Sequence, residues 1–587
     1  MKKAAGILPA FLLCALLLTG CGETGTDSTT SGENSSETSS NDGSSVEIET
    51  TGSTATVKIY KNNNSTSTDR YIPYDKVNLE YTFTELSGIL ENNESVFPSI
   101  GDVNLLVIPV HIPGSEEYKS EEVREDIEKV FFGDSEDDDL GFVSVSEYYY
   151  ESSFGKLNIQ GEVTDWFDVT DAGITDIDDI TISSSGTIQQ QILPAAVEFA
   201  KEQGADLNDY DYNGDGNIDG IFLVYDHLDY STYYEQCLKY GTEINESDMN
   251  EAFWNFTSWD WNTDPATRTS DDPTTSGFSW CAFSMMYTSY CNRQTATEYA
   301  DLTNLSSIPL DSHTYIHEFG HLLGLNDYYS SSDSDYHPMG QFTMMDQNVG
   351  DLDTYSKMLL GWVTPYVVYG TSEITIEAAN ANDHSVIVIP ENFEDISDEI
   401  EDVIKNDLVE EYLYTFNPFS EYLLIDLYTP DGLNYQDTYG DYVYGREEGI
   451  AGYGVRIYHI DARLFKCTAV SYAEGTYLSY VDGYEWDGGA LSSNEYVIQA
   501  ISNDMIESSS YQLPSSFDYF DECRLLESSG FNTFSDGGYA DASTLWTASS
   551  TPFSIEQFGN LFFNAVYSFN NGNDLPFRIA VEEIVRR

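Results

Sequence analysis

The chain is short of positive charge: 24 lysines and arginines stand against 101 aspartates and glutamates, a formal net charge of −77 at pH 7. Such a field repels phosphate backbones and anionic lipid surfaces, which excludes nucleic acid as a partner. Acidity of this kind serves solubility outside a cell, and its clusters can serve calcium. Cysteine is scarce as well. Of seven, five lie beyond Cys21, too few for a disulfide-built scaffold but enough for one or two bridges with one thiol left over. Sequence proximity favours Cys281 with Cys291 and Cys467 with Cys523. No apolar run after the N-terminus is long enough to span a bilayer. Histidine, at eight in 587 residues, is rare enough for a cluster to carry information.

What is present begins with "MKKAAGILPAFLLCALLLTGC": two lysines, an apolar run from Ala4 to Leu18, then Thr19, Gly20 and Cys21. Residues 1–20 read as a signal peptide too short for a stable membrane span. Its end resembles a bacterial lipobox, in which the cysteine receives a diacylglyceryl group and becomes the first mature residue. The expectation is an extracellular protein, lipid-anchored to a bacterial membrane through Cys21; the alternative is an ordinary cleaved signal peptide. Residues 21–54 are Ser, Thr, Gly, Asp, Glu and Asn with almost nothing apolar, so burial cannot offset ordering entropy, and a disordered tether is expected.

The rest is long enough for two or more cores. Residues 55–100 form a short pre-catalytic segment. In 101–365, "VNLLVIPVHIPG" and "IDGIFLVYDH" read as strands, while "SVSEYYYESSFG" and "SGTIQQQILPAAVEFAKEQ" read as helices, so this part is α/β. In 366–587, short alternating segments such as "SEITIEAA", "HSVIVIP", "EYLLIDLY", "YGVRIYHID" and "FRIAVEEI" stand between polar turns. That spacing predicts an antiparallel β-sandwich.

The chemistry concentrates in "HEFGHLLGLND". His317 and His321 are four apart, so on a helix they share one face and can bind one ion, with Glu318 beside them. Two neutral imidazoles suit zinc, and a neighbouring glutamate can take the proton of a zinc-polarised water as it attacks a carbonyl. Gly324 supplies the left-handed residue that lets the chain turn back, so that Asp327 can become a third ligand.

The pattern HExxHxxGxxD resembles the metzincin-type zinc peptidases, with aspartate in place of the commoner third histidine. Those enzymes carry a methionine turn beneath the metal; "GQFTMMDQNVG" supplies one here, with Met345 chosen over Met344. More specifically, the chain resembles the immune inhibitor A family of secreted bacterial metallopeptidases, family M six. The stretches that carry this are "SVSEYYYESSFGKLNIQGEV", "DYNGDGNIDGIFLVYDH", "HEFGHLLGLNDYY", "GQFTMMD", "YSKMLLGWVTP", "EYLLIDLY" and "GYGVRIYHID", spread over residues 144–461. The resemblance implies a zincin-like catalytic domain of α+β character with a mixed sheet and an active-site helix. It makes His317, His321 and Asp327 zinc ligands and Glu318 the catalytic glutamate. The sequence departs from the family at Phe342 and Thr343, where tryptophan and aspartate are usual, at Asn326, where proline is usual, and in having no long segment for an inhibitory prodomain.

"DYNGDGNIDG" places Asp211, Asn213, Asp215 and Asp219 at positions 1, 3, 5 and 9 of a calcium loop, with Gly216 at its sharp turn and Ile218 as anchor. Position 12 is Phe222, so the bidentate glutamate is absent. Calcium is expected here, with Asp209 as a further donor; the alternative is a hydrogen-bonded Asx turn. Among other histidines, His313, His337 and His459 are weighed for support near the attacked carbonyl; His337 is the first candidate and His459 a weaker one, with a hydrogen-bonded structural role as the alternative for both. The two tyrosines after Asp327 are weak signals in a chain with 44. The whole reads as a cell-surface zinc endopeptidase for extracellular proteins or peptides. Its rival is a catalytically silent zincin-fold surface binding protein.

Overall fold

A computed structural model of the chain describes residues 52–61, 70–77, 97–134, 140–180, 186–229, 254–259, 273–275, 277–288, 309–330, 335–388, 421–440, 449–462, 465–472, 475–480, 497–499, 502–503, 520–554 and 577–587. The signal peptide, Cys21 and the tether up to residue 51 lie outside them, as do Cys237 and Cys291. No helix among the described residues is long and apolar enough to cross a membrane. The architecture is mixed α/β.

The first sheet is built from the runs whose apolar residues are nearly continuous. Its strands are β1 (Gly101–His111), β2 (Leu157–Val163), β3 (Ile221–Tyr225), β4 (Phe256–Trp259) and β5 (Gly277–Ala282), in spatial order β2-β1-β3-β5-β4. The pairs β2–β1, β1–β3 and β3–β5 are parallel, while β4 runs antiparallel to β5 at the edge. A parallel sheet is covered on both faces, which explains why β3 and β5 are buried at every position.

Helices supply that cover. The helix Glu121–Phe132 starts at Ser120, whose side chain accepts from Val123 N, and it buries Val123, Ile127, Val130 and Phe131 at i, i+4 and i+3 spacing. Phe131 meets Phe222 of β3 at 4.8 Å and Tyr315 of the helix His313–Leu322 at 5.4 Å, edge to face. The helix Val145–Ser152 is capped by Ser144 and ends in Gly155 at φ +73°. Leu193–Gln203 continues from a π-helical turn, Ile188–Ile192, which stands just before Pro194, a residue with no N–H to donate back into it.

The second sheet has the order Cys523–Leu525, Gly454–Asp461, Glu421–Tyr428, His384–Val388, Thr364–Val368, Tyr71–Ile72. One of its pairs, Thr364–Val368 with His384–Val388, is parallel, which departs from the all-antiparallel expectation. The strand Glu421–Tyr428 shows what the period of two achieves. Tyr422 and Leu424 enter the core shared with the first sheet's helices, while Leu423, Ile425 and Leu427 enter a second core on the opposite side. That second core is closed by an outer sheet ordered Ser372–Glu377, Thr54–Lys61, Phe577–Val585, Phe553–Ser554. Residues 55–100 thus contribute in three places: Ala55, Val57 and Ile59 lie inside the outer sheet, Tyr71–Ile72 edges the second, and Phe97 packs on Phe319 at 4.9 Å.

The disulfide pairings are overturned at the two cysteines whose environment is described: Cys281 and Cys523 are both free and fully buried. Each sits on a sheet strand inside the core, where a thiol packs as a small apolar group, and burial pushes both thiols well above their ordinary range.

Candidate metal centre

The helix His313–Leu322 lies against β4 and β5, with the Tyr315 hydroxyl donating to Ala282 O at 2.7 Å. The 3.6-residue period puts His317 and His321 one turn apart, and their rings meet edge to face at 4.8 Å. Past the helix, Gly324 takes φ +92°, and Leu325 N returns to Gly320 O at 3.0 Å. A side chain at that φ costs roughly 1–2 kcal/mol, so glycine is the residue that turns the chain here. The turn carries Asp327 back over the helix face. Its Oδ1 lies 3.0 Å from His317 Nε2 and 3.4 Å from His321 Nε2.

Hydrogen bonds elsewhere fix which nitrogens face inward. His317 Nδ1 lies 2.8 Å from Met344 O and His321 Nδ1 2.7 Å from Leu325 O. A carbonyl only accepts, so each Nδ1 carries a proton and each Nε2 presents a lone pair whenever its ring is neutral, as a metal ligand must be. Donor atoms of His317, His321 and Asp327 converge within 4.8 Å, the one group of metal-ligating side chains so gathered among the described residues, and all three are buried. His321 Nε2 is buried without a hydrogen bond. A converged pair of imidazole nitrogens and a carboxylate, with both rings already held through Met344 O and Leu325 O, fits zinc, whose catalytic sites take three protein ligands and leave a fourth position open.

The electrostatics point the same way. Burial opposes a charge on His321, but the Asp327 carboxylate overrides it and raises the imidazole to about 9. Against its own burial, Asp327 is held well below the usual carboxylate range by His321 and His317. Between them the three groups favour positive charge at their centre.

The methionine turn does two jobs with two residues. The Met344 carbonyl orients His317, while Met345 lies under the helix at Gly320, where a Cβ would come within 2.5 Å of the Met345 sulfur. Gly320, between the two histidines, thus leaves room for the Met345 side chain against the helix. Thr343 takes φ +105°, a strain of the order of 1–3 kcal/mol. Its Oγ1 accepts from Asp353 N at 3.0 Å, and its carbonyl accepts from Asp346 N at 3.1 Å, which hold the turn. Phe342 packs edge to face on Tyr428 at 5.4 Å, so the second sheet supports this departure from the family pattern.

Glu318 points to the sheet edge. Thr257 of β4 places its hydroxyl 2.8 Å from Glu318 Oε2 and 2.8 Å from Ser279 Oγ of β5. Burial raises the Glu318 carboxyl, opposed by the neighbouring histidines and the Thr257 hydroxyl. No signal in the sequence marks Thr257 or Ser279, which lie some sixty and forty residues upstream; strand pairing alone brings them here.

His337 stands outside the converged trio. Its Nδ1 is 2.6 Å from the Asp346 carboxylate, and its ring is 6.1 Å from Tyr329, which stacks on His317 at 6.5 Å. That is the rim of the site, with a carboxylate orienting the ring. Tyr328, by contrast, is buried and bonded to Ser356 Oγ at 2.8 Å. His313 is clamped between Asp311 at 2.5 Å and Asp437 at 3.1 Å, and His459 bonds to Glu421 at 2.8 Å; both are fully buried and structural.

In the loop from Asp211 to Asp219 the carboxylates turn to backbone N–H groups. Asp215 N and Gly216 N donate to Asp211, Asn217 N to Asp215, and Tyr212 N to Asp219. Asp209 sits in the preceding turn, Leu207–Tyr210.

Residues 101–257 match the family model described as immune inhibitor A peptidase M6, catalytic domain. No curated protein matches the chain. The matched span holds β1, β2, β3 and the first half of β4, the framework on which Thr257 meets Glu318 and on which the histidine helix rests. Over residues 101–257, the chain is similar to the catalytic domain of the immune inhibitor A peptidases of family M6.

Proposed function

We propose that this chain is a zinc-dependent endopeptidase of the bacterial cell surface, with a zincin-like, metzincin-type catalytic domain and a β-sandwich behind it. The observation that carries the reading is the convergence of His317, His321 and Asp327, with Glu318 one residue from a ligand and bonded to the sheet edge. Zinc, when bound by that trio, supplies the positive charge that makes a water more acidic and stabilises negative charge on a carbonyl oxygen. Glu318 takes the proton of the attacking water on its carboxylate and returns it to the leaving amine. Its burial suits this role, because a carboxylate whose proton affinity is raised both accepts and holds a proton more readily. The edge strand β4 gives an extended peptide a backbone beside that carboxylate.

The test is Glu318→Gln, near-isosteric but without the base. Zinc measured by elemental analysis should stay, while cleavage of an unbiased peptide library falls by orders of magnitude. Unchanged cleavage would sink the mechanism. A silent binding protein is the weaker reading, since it has no use for an intact glutamate held by a buried hydroxyl.

Two further assignments belong to this reading. Calcium in the loop Asp211–Asp219 would neutralise three neighbouring carboxylates, two of them buried. A lipid on Cys21 would anchor the chain, since several acyl chains at about 0.8 kcal/mol per buried methylene hold where one short chain is marginal. Cys21→Ala should release the protein from membranes and abolish the acyl mass on its N-terminal peptide. An unmodified wild-type chain free in the medium would make it a diffusible protease instead.

A further inference from the structure

The antiparallel pair β4–β5 carries two hydroxyls where a sheet face packed on a helix usually carries apolar groups. In the register of this pair Thr257 stands opposite Ser279, with Phe256 opposite Trp280 and Ser258 opposite Phe278. Successive side chains alternate faces. Thr257 meets Glu318, while Ser258 accepts on the other face from Gln189 Nε2 at 3.1 Å. Thr257 is 6% exposed and Ser279 0%. Buried hydroxyls are costly unless bonded, and this pair has three polar atoms around one oxygen. Thr257 Oγ1 lies 2.8 Å from Ser279 Oγ, 2.8 Å from Glu318 Oε2 and 2.9 Å from Glu318 O.

A carboxylate oxygen only accepts, so with Glu318 ionised the Thr257 proton goes to it, and Thr257 in turn accepts from Ser279. The result is a directional chain from Ser279 to Thr257 to Glu318. Valine or alanine would fill the same volumes, so the Thr257 hydroxyl serves the carboxylate it reaches and the Ser279 hydroxyl serves Thr257. Thr257 reaches it from the edge strand β4, and Ser279 backs Thr257 from β5. His317 and His321 are oriented by Met344 O and Leu325 O, and nothing in that set holds Glu318.

We propose that Thr257, backed by Ser279, is a positioning residue for the general base: it locks the Glu318 carboxylate in one rotamer and thereby couples the geometry of the edge strand to proton transfer. The proposal rests on Glu318 being the base. A flexible glutamate would spend part of its time off the line of proton transfer, which lowers kcat and leaves substrate and metal binding alone.

The experiment uses the full chain loaded with zinc, a peptide substrate found by library cleavage, and the variants Thr257→Val, Thr257→Ser, Ser279→Ala and Glu318→Gln. Thr257→Val should lower kcat about tenfold to a hundredfold, the range of one hydrogen bond to a charged group. KM should stay within about twofold and zinc content at that of the wild type. Thr257→Ser should restore most of the rate, and Ser279→Ala should cost roughly twofold to fivefold. In the background of Glu318→Gln, removing the Thr257 hydroxyl should change the residual rate far less than in the wild type, the coupling expected of groups acting as a unit. Thr257→Val with wild-type kcat, while Glu318→Gln is inactive, overturns the positioning role and leaves the peptidase reading intact. So does Thr257→Ser if it is as impaired as Thr257→Val. If Glu318→Gln itself retains activity, the general-base reading fails first. Should Thr257→Val not fold by circular dichroism, Thr257→Ser and Ser279→Ala decide: zinc-replete, folded Ser279→Ala at full rate with unaltered KM overturns the relay.

Discussion

Two acidic constellations in this chain read as metal sites, and the fold treats them differently. In the stretch from His317 to Asp327 the atoms that could be satisfied elsewhere already are, through Met344 O and Leu325 O, so two Nε2 atoms and a carboxylate are left facing one point. In the loop from Asp211 to Asp219 each carboxylate has found backbone N–H groups, and its donors do not gather among the described residues as the trio does.

The comparison breaks most decisively at Asp327. Asp327→Ala should lose zinc by elemental analysis and cut proteolysis by at least three orders of magnitude, in line with removal of a ligand or triad-like group. If zinc stays in Asp327→Ala and leaves in His337→Ala, the wrong third ligand is assigned. For the loop the expected effect is on stability and smaller. Calcium should raise the melting temperature by mass action, and Asp215→Ala should abolish that response. A melting curve indifferent to calcium would leave the loop as an Asx turn.

The smallest effect sharpens the comparison by pH. Burial raises Asp219 to about 7, with the Tyr212 N–H opposing and Asp211 and Asp215 adding to it. Its folded value lies above the unfolded one, so the fold favours the protonated acid. Stability from this group is greatest at low pH, declines as pH rises from about 4 towards about 7, and levels off above that. With calcium removed, melting temperature should fall between about pH 4 and pH 7. Asp219→Asn should flatten that fall, and so should calcium. An unchanged slope in Asp219→Asn would place the titration elsewhere.

The sequence by itself determined the local parts of this protein. A four-residue spacing sets two histidines on one helix face, glycine at 324 permits the left-handed turn, and alternation places Leu423, Ile425 and Leu427 on one side of a strand. Each follows from geometry spanning a few residues, so each could be read from them. What only the tertiary structure decided are contacts between residues far apart in the chain. Thr257 and Ser279 reach Glu318 because antiparallel pairing of β4 with β5 sets them opposite each other over the helix. The strand Thr54–Lys61 pairs with Phe577–Val585, joining the two ends of the described chain in one sheet. Cys281 and Cys523 sit buried in one core on strands of different sheets, as free thiols rather than in the bridges their spacing suggested. No local pattern encodes these, because register and sheet order are fixed by which apolar faces bury one another, a property of the whole chain.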